Sequence, residues 1–570
     1  MIHLRRMIPS ASAFALAAAL VLTACLPVSE AQAAAAHAAL SGRVTSPRGA
    51  PMEGVIVSAT RARSTITLSV VSDHAGHYDF AASRVGPGRY QLDIRAVGYA
   101  LAGPHEFTVR RGHTTTANLS LRAVGNIDDQ MTNADWLLSM PGSVQQKDLL
   151  LNCTTCHTLE RIVTSRFTAP DFLGVMHEMS LFANQSFDFK PQMRLKLTKS
   201  QAGSWGTGKE TLAKFMASIN ESASGKLEYP LKALPRPTDG GTHVIYTTYA
   251  LPQSSIQPHD VVVDRWGRVW FSDFGGDTLG ELDPRTGKVT QYPFPTTRPK
   301  EPTGGLDLEF DQEGNLWIAR MNQGGVAEFN YKTHTFKVYE VPRRFRTLAT
   351  QQPMVAPEHW EVDGKVWMSD ESLPGVYRVN TRTGHWRRWL PYGVMKGGGG
   401  GEYAFGRPHS VYGIYADKHN NLFFNDFAGE NVGEIDARTG KVTLYPTPTP
   451  HSRPRRGQLD AQGRLWFAEW QADKLGEFDT KTHQFREWPI PIPYFAPYQV
   501  VRDKWGNLWA GGMSSDRLVR VNVKTGRFTV YFLPVPSNIR HMFVDDSGSR
   551  PVLWIGNNHS GSITKMEPLD

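Results

Sequence analysis

GRVWFSDFGGDTLGELDPRTGKVTQYPFP, residues 267–295, decides the fold. Three apolar-alternating stretches (RVWFSDF, TLGELD, KVTQYP) are split by the turn-forming runs GGD and PRTG, the pattern of short antiparallel strands. The first stretch has six counterparts: GNLWIARM, GKVWMSDE, NNLFFNDF, GRLWFAEW, GNLWAGGM and PVLWIGNN. The matching aromatics are Trp270, Trp317, Trp367, Phe423, Trp466, Trp509 and Trp554, spaced 43 to 56 residues apart. Four short strands per unit at this period suit a β-propeller blade, so seven units predict seven blades. The last unit ends at SITKMEPLD without a fourth strand. HVIYTTYALP, residues 243–252, precedes the first unit and is expected to supply it, closing the ring and hiding sheet edges.

Upstream, residues 39–123 alternate in the same strand-like way, as in GVIVSATR and GRYQLDIRAVGY. Residues 125–236 change to helical spacing, with Thr168 and Pro170 of TAPD suited to a helix start. LPRPTDGG then reads as a linker to a propeller over 238–570. The predicted fold class is multidomain and mainly β: an N-terminal β-sandwich, a small all-α domain, then the seven-bladed propeller. MIHLRRM followed by ASAFALAAALVLTA reads as a signal peptide over 1–33, too short to span a membrane. Two endings compete: LTAC, with lipidation at Cys25, and AQA, an ordinary cleavage site. Either ending predicts export to a periplasm, with membrane attachment only through Cys25.

The sequence has 570 residues, 40% hydrophobic and 20% charged, as in folded soluble domains. The net charge of +8 is spread along the chain. Its densest clusters, VPRRFRT and HSRPRRG, read as solvated loops between strands. No nucleic-acid partner is expected.

LNCTTCHTLERI, residues 151–162, holds Cys153 and Cys156, the only cysteines after the signal, with His157 adjoining. C-x-x-C-H is the c-type haem attachment pattern. Two thiols on one helical turn can bond the two vinyl groups of one haem, and the imidazole then meets the iron as proximal ligand. A four-cysteine zinc site is impossible, a thioredoxin-like pair lacks its α/β surroundings, and a disulfide over two residues is strained. The expected cofactor is haem c. Distal ligands considered are Met176, Met179, Met193 and His177, with Met179 and Met193 in front; a thioether would suit electron transfer. Phe215 and Met216 of TLAKFMASI are expected to pack.

Three resemblances add to this reading. Residues 39–123 (SGRV…GVIVSA…SD-G-Y-F…A-GY) resemble a carboxypeptidase regulatory-like, transthyretin-like sandwich, which implies a spacer and gives His74 and His77 no metal role. The region 125–236 resembles a cytochrome c domain. The repeats resemble the streptogramin B lyase propeller, which implies a metal such as Mg²⁺ held by carboxylates and a histidine base. His409 and Glu469 match that family's histidine and glutamate in position. Arg455 stands where a second histidine is expected, and an arginine cannot act as a base near neutral pH.

First strands of the units present His259, Asp307, His359, His409, Arg455, Tyr498 and His541 to the axis. Second strands end in Asp273, Arg320, Asp370, Asp426, Glu469, Gly512 and Asn557. Such a set can bind a metal or move a proton, or its members can pair with one another. KGGGGGEYAFG, residues 396–406, reads as a flexible turn near this face. Three functions are compatible with these residues: a periplasmic haem protein passing electrons to a redox protein or a quinone-linked acceptor; a metal-dependent lyase or hydrolase of cyclic esters or lactones; and a non-enzymatic binding protein.

Overall fold

The computed structural model describes residues 38–182, 208–222, 224–345, 355–356, 364–370, 374–393 and 408–570. The signal segment with Cys25, Met193, His359 and the glycine run at 396–406 lie outside the described residues. The chain is mainly β, with an N-terminal sandwich-like domain and a C-terminal propeller-like domain.

The first domain has nine strands: β1 (Ala38–Thr45), β2 (Ile56–Arg61), β3 (Ile66–Val71), β4 (His77–Ala81), β5 (Gly88–Arg95), β6 (Tyr99–Leu101), β7 (Glu106–Val109), β8 (Thr115–Thr116) and β9 (Leu119–Ala123). One sheet runs β4-β1-β9-β6, with β8 beside β1; the other runs β3-β2-β5-β7. Alternation places Tyr90 and Leu92 inward and Arg89, Gln91 and Asp93 outward, as one buried face requires. Val57, Phe80, Leu92 and Leu119 fill the space between the sheets. His74 and His77 are exposed.

Five α-helices follow among the described residues: α1 (Asn133–Ser139), α2 (Val144–Leu151), α3 (Glu160–Val163), α4 (Ala169–Met179) and α5 (Lys209–Ile219). Thr132, Ser143 and Thr168 cap α1, α2 and α4, each in a reciprocal capping box with Asp135, Gln146 and Asp171. α5 buries Leu212, Phe215, Met216 and Ile219. None of the described helices is long and apolar enough to cross a membrane.

Seven four-stranded antiparallel units follow among the described residues. Six lie at 258–293, 305–340, 355–389, 411–446, 454–489 and 497–532. The seventh joins 542–568 to strand β10 (Val244–Ala250). β10 pairs with Ser562–Pro568 from Val244↔Pro568 to Ala250↔Ser562, so the strand ahead of the first unit completes the last. First strands of successive units adjoin, and Pro258–Val263 lies against the seventh unit.

Repeat geometry explains the repeat sequence. Trp270, Trp317, Trp466 and Trp509 each donate an indole N–H to an aspartate six residues earlier: Asp264, Asp311, Asp460 and Asp503, at 2.9–3.0 Å. These tryptophans are blade packing with a satisfied polar end. On third strands, Gly280, Gly433 and Gly476 lie under the rings of Phe271, Phe424 and Phe467. A Cβ there would meet ring carbon at 2.0–2.4 Å, so only glycine fits.

Two expectations change. The sandwich is no loose spacer: β3 pairs with the free edge of β10, from Ile245↔Val70 to Tyr249↔Ile66. The closing unit and one sandwich sheet thus form one eight-stranded sheet. Each otherwise exposed edge is covered by the other. Nor is LPRPTDGG an open linker. Leu234 is buried, its N–H donates to Asp135 at 2.7 Å, and Arg517 donates to the carbonyls of Leu234 and Pro235.

Candidate functional site

The propeller axis is built by a repeated irregularity. The first strands at 258–263, 305–310, 411–416, 454–459 and 497–502 each carry a register shift near their start. A bulge of this kind breaks the two-residue alternation. Adjacent residues are therefore both buried: His259 with Asp260, and Arg455 with Arg456. HSRPRRG is thus no solvated loop.

Arg456 reaches across the axis. It makes a two-pronged contact with Asp260, at 2.8 and 2.9 Å, and bonds Asp307 of another unit. Burial alone would raise Asp260, but Arg456 and His541 hold it well below the usual carboxylate range. His259 places Nδ1 2.5 Å from Asp260 and Nε2 3.1 Å from the Tyr498 hydroxyl. Tyr498 in turn bonds the Tyr412 hydroxyl. Arg455 lies over the Tyr498 ring at 3.9 Å. Burial lowers His259 to about 3 and His541 to about 4, so both imidazoles are neutral. Of the described first-strand set, His259 and Arg455 both meet Tyr498 at the axis, and Asp307 meets Arg456.

The second-strand ends are tied locally. Asp273 accepts the N–H of Gln257 and Gly275. Arg320 donates to Pro295 and Thr297. Asp370 accepts the Tyr377 hydroxyl, and Asn557 bonds Ser562 and Thr564. His409 places Nδ1 2.6 Å from Asp426 and stacks on Tyr392 with ring centroids 3.7 Å apart. Glu469 is fully buried, and its carboxyl is pushed up to about 8 by burial and by the Glu487 carboxyl. Glu487 accepts from Lys474 at 2.7 Å and Thr449 at 2.6 Å, which hold it low despite burial. The proton of this pair therefore resides on Glu469 near neutral pH. His409 and Glu469 each answer to a different carboxylate. Among the described residues no group of three or more His, Cys, Asp or Glu is arranged to hold a metal ion.

The C-x-x-C-H segment stands over this axis. α2 runs into a single 3-10 turn, Asn152–Thr155, which presents Cys153 and Cys156 half-buried. Trp136, Leu150, Leu151 and Phe215 share one apolar core with Phe274, Tyr412, Trp470, Tyr498 and Met513 of the propeller. Asn538 donates to Thr154 O at 3.0 Å, Arg540 to Thr155 O at 2.7 Å, and His559 Nε2 lies 3.1 Å from Thr155 O. Arg453 donates to Asn152 Oδ1 at 3.2 Å. His157 Nδ1 lies 2.9 Å from Thr158 O, which fixes the N–H there and the ring's lone pair on Nε2. Burial and Cys156 raise the Cys153 thiol to about 12, the opposite of a reactive thiolate. Met176 is buried in the helical core, whereas Met179 is exposed at the end of α4.

Sequence reasoning missed Asp260, Arg456, Tyr412, Asn538, Arg540 and His559. The paired residues HD and RR were visible, but without the bulge one member of each pair should face away. Asn538, Arg540 and His559 lie between strands, where no periodicity marks them.

Residues 402–569 match the virginiamycin B lyase family, and residues 39–122 match the carboxypeptidase regulatory-like domain. No curated protein matches the chain. Among solved structures, the chain is similar to selenomethionine-substituted virginiamycin B lyase from Staphylococcus aureus. Identity is 19%, over 57% of this chain and 99% of that one, with a TM-score of 0.47. A streptogramin B lyase is 17% identical, over 58% and 99%, with a TM-score of 0.49. A catalytically inactive virginiamycin B lyase from Staphylococcus aureus with quinupristin is 18% identical, over 57% and 99%, with a TM-score of 0.46.

Proposed function

We propose that the chain is an exported c-type haem protein that passes electrons, its lyase-like propeller serving as the seat of the haem-bearing turn. The observation that carries this reading is the turn itself. Its backbone carbonyls are gripped from below by Asn538, Arg540 and His559, while His157 is oriented through Nδ1. Cys153 and Cys156 would hold the porphyrin by thioether links, and His157 Nε2 would be the proximal iron ligand. A bound haem c supplies one-electron chemistry at its iron. Met179 or Met193 would supply a distal thioether. A nucleophilic role for Cys153 is disfavoured by its raised thiol. The export signal fits the reading, because bacterial c-type haem is attached outside the cytoplasm. A redox protein or a quinone-linked acceptor would take the electron. The test is absorbance of the exported protein, oxidised and reduced. Sharp c-type bands that vanish in the Cys153→Ala/Cys156→Ala variant are expected; a colourless mature protein overturns the reading.

A second reading is a metal-dependent lyase or hydrolase of cyclic esters or lactones, and the comparisons favour this one. Its support is the family match over 402–569 and the buried, proton-holding Glu469. Against it stand Arg455 at the position of a second histidine, and a neutral Glu469, which is a poor metal ligand near pH 7. Turnover of a cyclic ester with added Mg²⁺, lost on Glu469→Gln and kept in Cys153→Ala, would establish it; no turnover would remove it.

A further inference from the structure

The cationic grip on the turn has an electrostatic consequence. Arg540 is 1% exposed. Its Nη2 donates to Thr155 O, its Nε donates to Asn538 Oδ1 at 2.9 Å, and its guanidinium lies 4.9 Å from the Phe274 ring centroid. Each of these contacts is to a neutral group. Among the described residues no carboxylate pairs with Arg540. A guanidinium is a cation, and this one is buried. It binds the carbonyl of Thr155, which is one residue before Cys156 and two before His157. The other groups on the turn do not cancel it. His559, bonded to the same carbonyl, is held neutral by burial, and Asn538 carries no charge. In a buried site such a charge is screened far less than at the surface.

We propose that Arg540 is a positioning residue that sets the redox level of the haem: its uncompensated charge beside the C-x-x-C-H turn favours the reduced iron. Reduction adds one electron and lowers the positive charge of the iron centre by one. A fixed cation nearby stabilises the reduced state relative to the oxidised one. The propeller thereby acts on the electron carrier seated over it, through a residue just ahead of the first strand of its closing unit. This inference rests on the haem reading.

The experiment is potentiometric titration of the full-length exported holoprotein against soluble mediators, followed by absorbance. Arg540→Gln should shift the reduction equilibrium toward the oxidised form by roughly tenfold, about 59 mV for one electron. Arg540→Lys keeps the charge and should stay near wild type. Asn538→Asp gives up the Nδ2 donations to Thr154 O and Met513 O but sets a carboxylate against the Arg540 Nε, and should shift the equilibrium in the same direction as Arg540→Gln. Asn538 has a φ of 48°, a conformation that aspartate tolerates. If Arg540→Gln yields no holoprotein, the Asn538→Asp titration decides. A wild-type potential in either charge-cancelling variant overturns the inference, as does a tenfold shift in Arg540→Lys. Failure here leaves haem bands intact, whereas failure of the haem reading leaves no bands in the wild type.

Discussion

Two clusters of buried charge in the propeller are handled in opposite ways. At the axis, Arg456 sits between Asp260 and Asp307, so both carboxylates meet one cation. At the end of the fifth unit's second strand, burial and the Glu487 carboxyl push Glu469 up to about 8. Opposite charges lock a structure, and Arg456 and His541 hold Asp260 well below the usual carboxylate range despite its burial. Like charges leave one group poised to titrate. The axis is thus a plug and a seat, and the helical segment sits on it. The glutamate pair is one of the propeller's titratable spots among the described residues.

The comparison breaks most sharply at Arg456. Arg456→Met leaves two buried carboxylates with no cation between them. Denaturant unfolding should show a loss of about 3–5 kcal/mol. A loss under 1 kcal/mol would mean that the cluster is not the lock described. Next comes Glu469→Gln. A carboxyl whose folded pKa lies above its unfolded value of 4.5 binds its proton more tightly when folded. Stability is then fully present below the unfolded pKa and falls as pH rises toward about 8. Replacing Glu469 with glutamine should remove that slope and raise the melting temperature at pH 8 to 9, by an amount worth a few kcal/mol. An unchanged pH profile would place the proton elsewhere. Trp466→Phe removes the indole bond to Asp460 and should cost roughly 1–3 kcal/mol. The smallest effect is expected at the join of the two domains. Arg84 is 38% exposed and bonds Glu567 at 2.6 Å. Arg84→Ala should cost under about 1 kcal/mol and weaken its effect further in high salt.

Much of the fold was legible because it is written in periodicity. The Trp-bearing strands, the strand ahead of the first unit and the Thr168 cap each follow from local pattern. The site was legible only in part. Glu469 and His409 could be placed by position, but their partners Glu487 and Asp426 depend on which strands meet. The Arg456 cluster was hidden because a bulge inverts the alternation from which inward-facing residues are read. The union of β3 with β10 was hidden for another reason. Each strand is an ordinary edge by itself, and only the ring's closure brings one edge to the other.

The central claim is that the turn over the axis carries a covalent porphyrin. Mass spectrometry of the peptide containing residues 151–162, taken from the exported protein, tests it directly. A haem-sized addition spanning both Cys153 and Cys156 is predicted. An unmodified peptide from correctly matured protein would contradict the account.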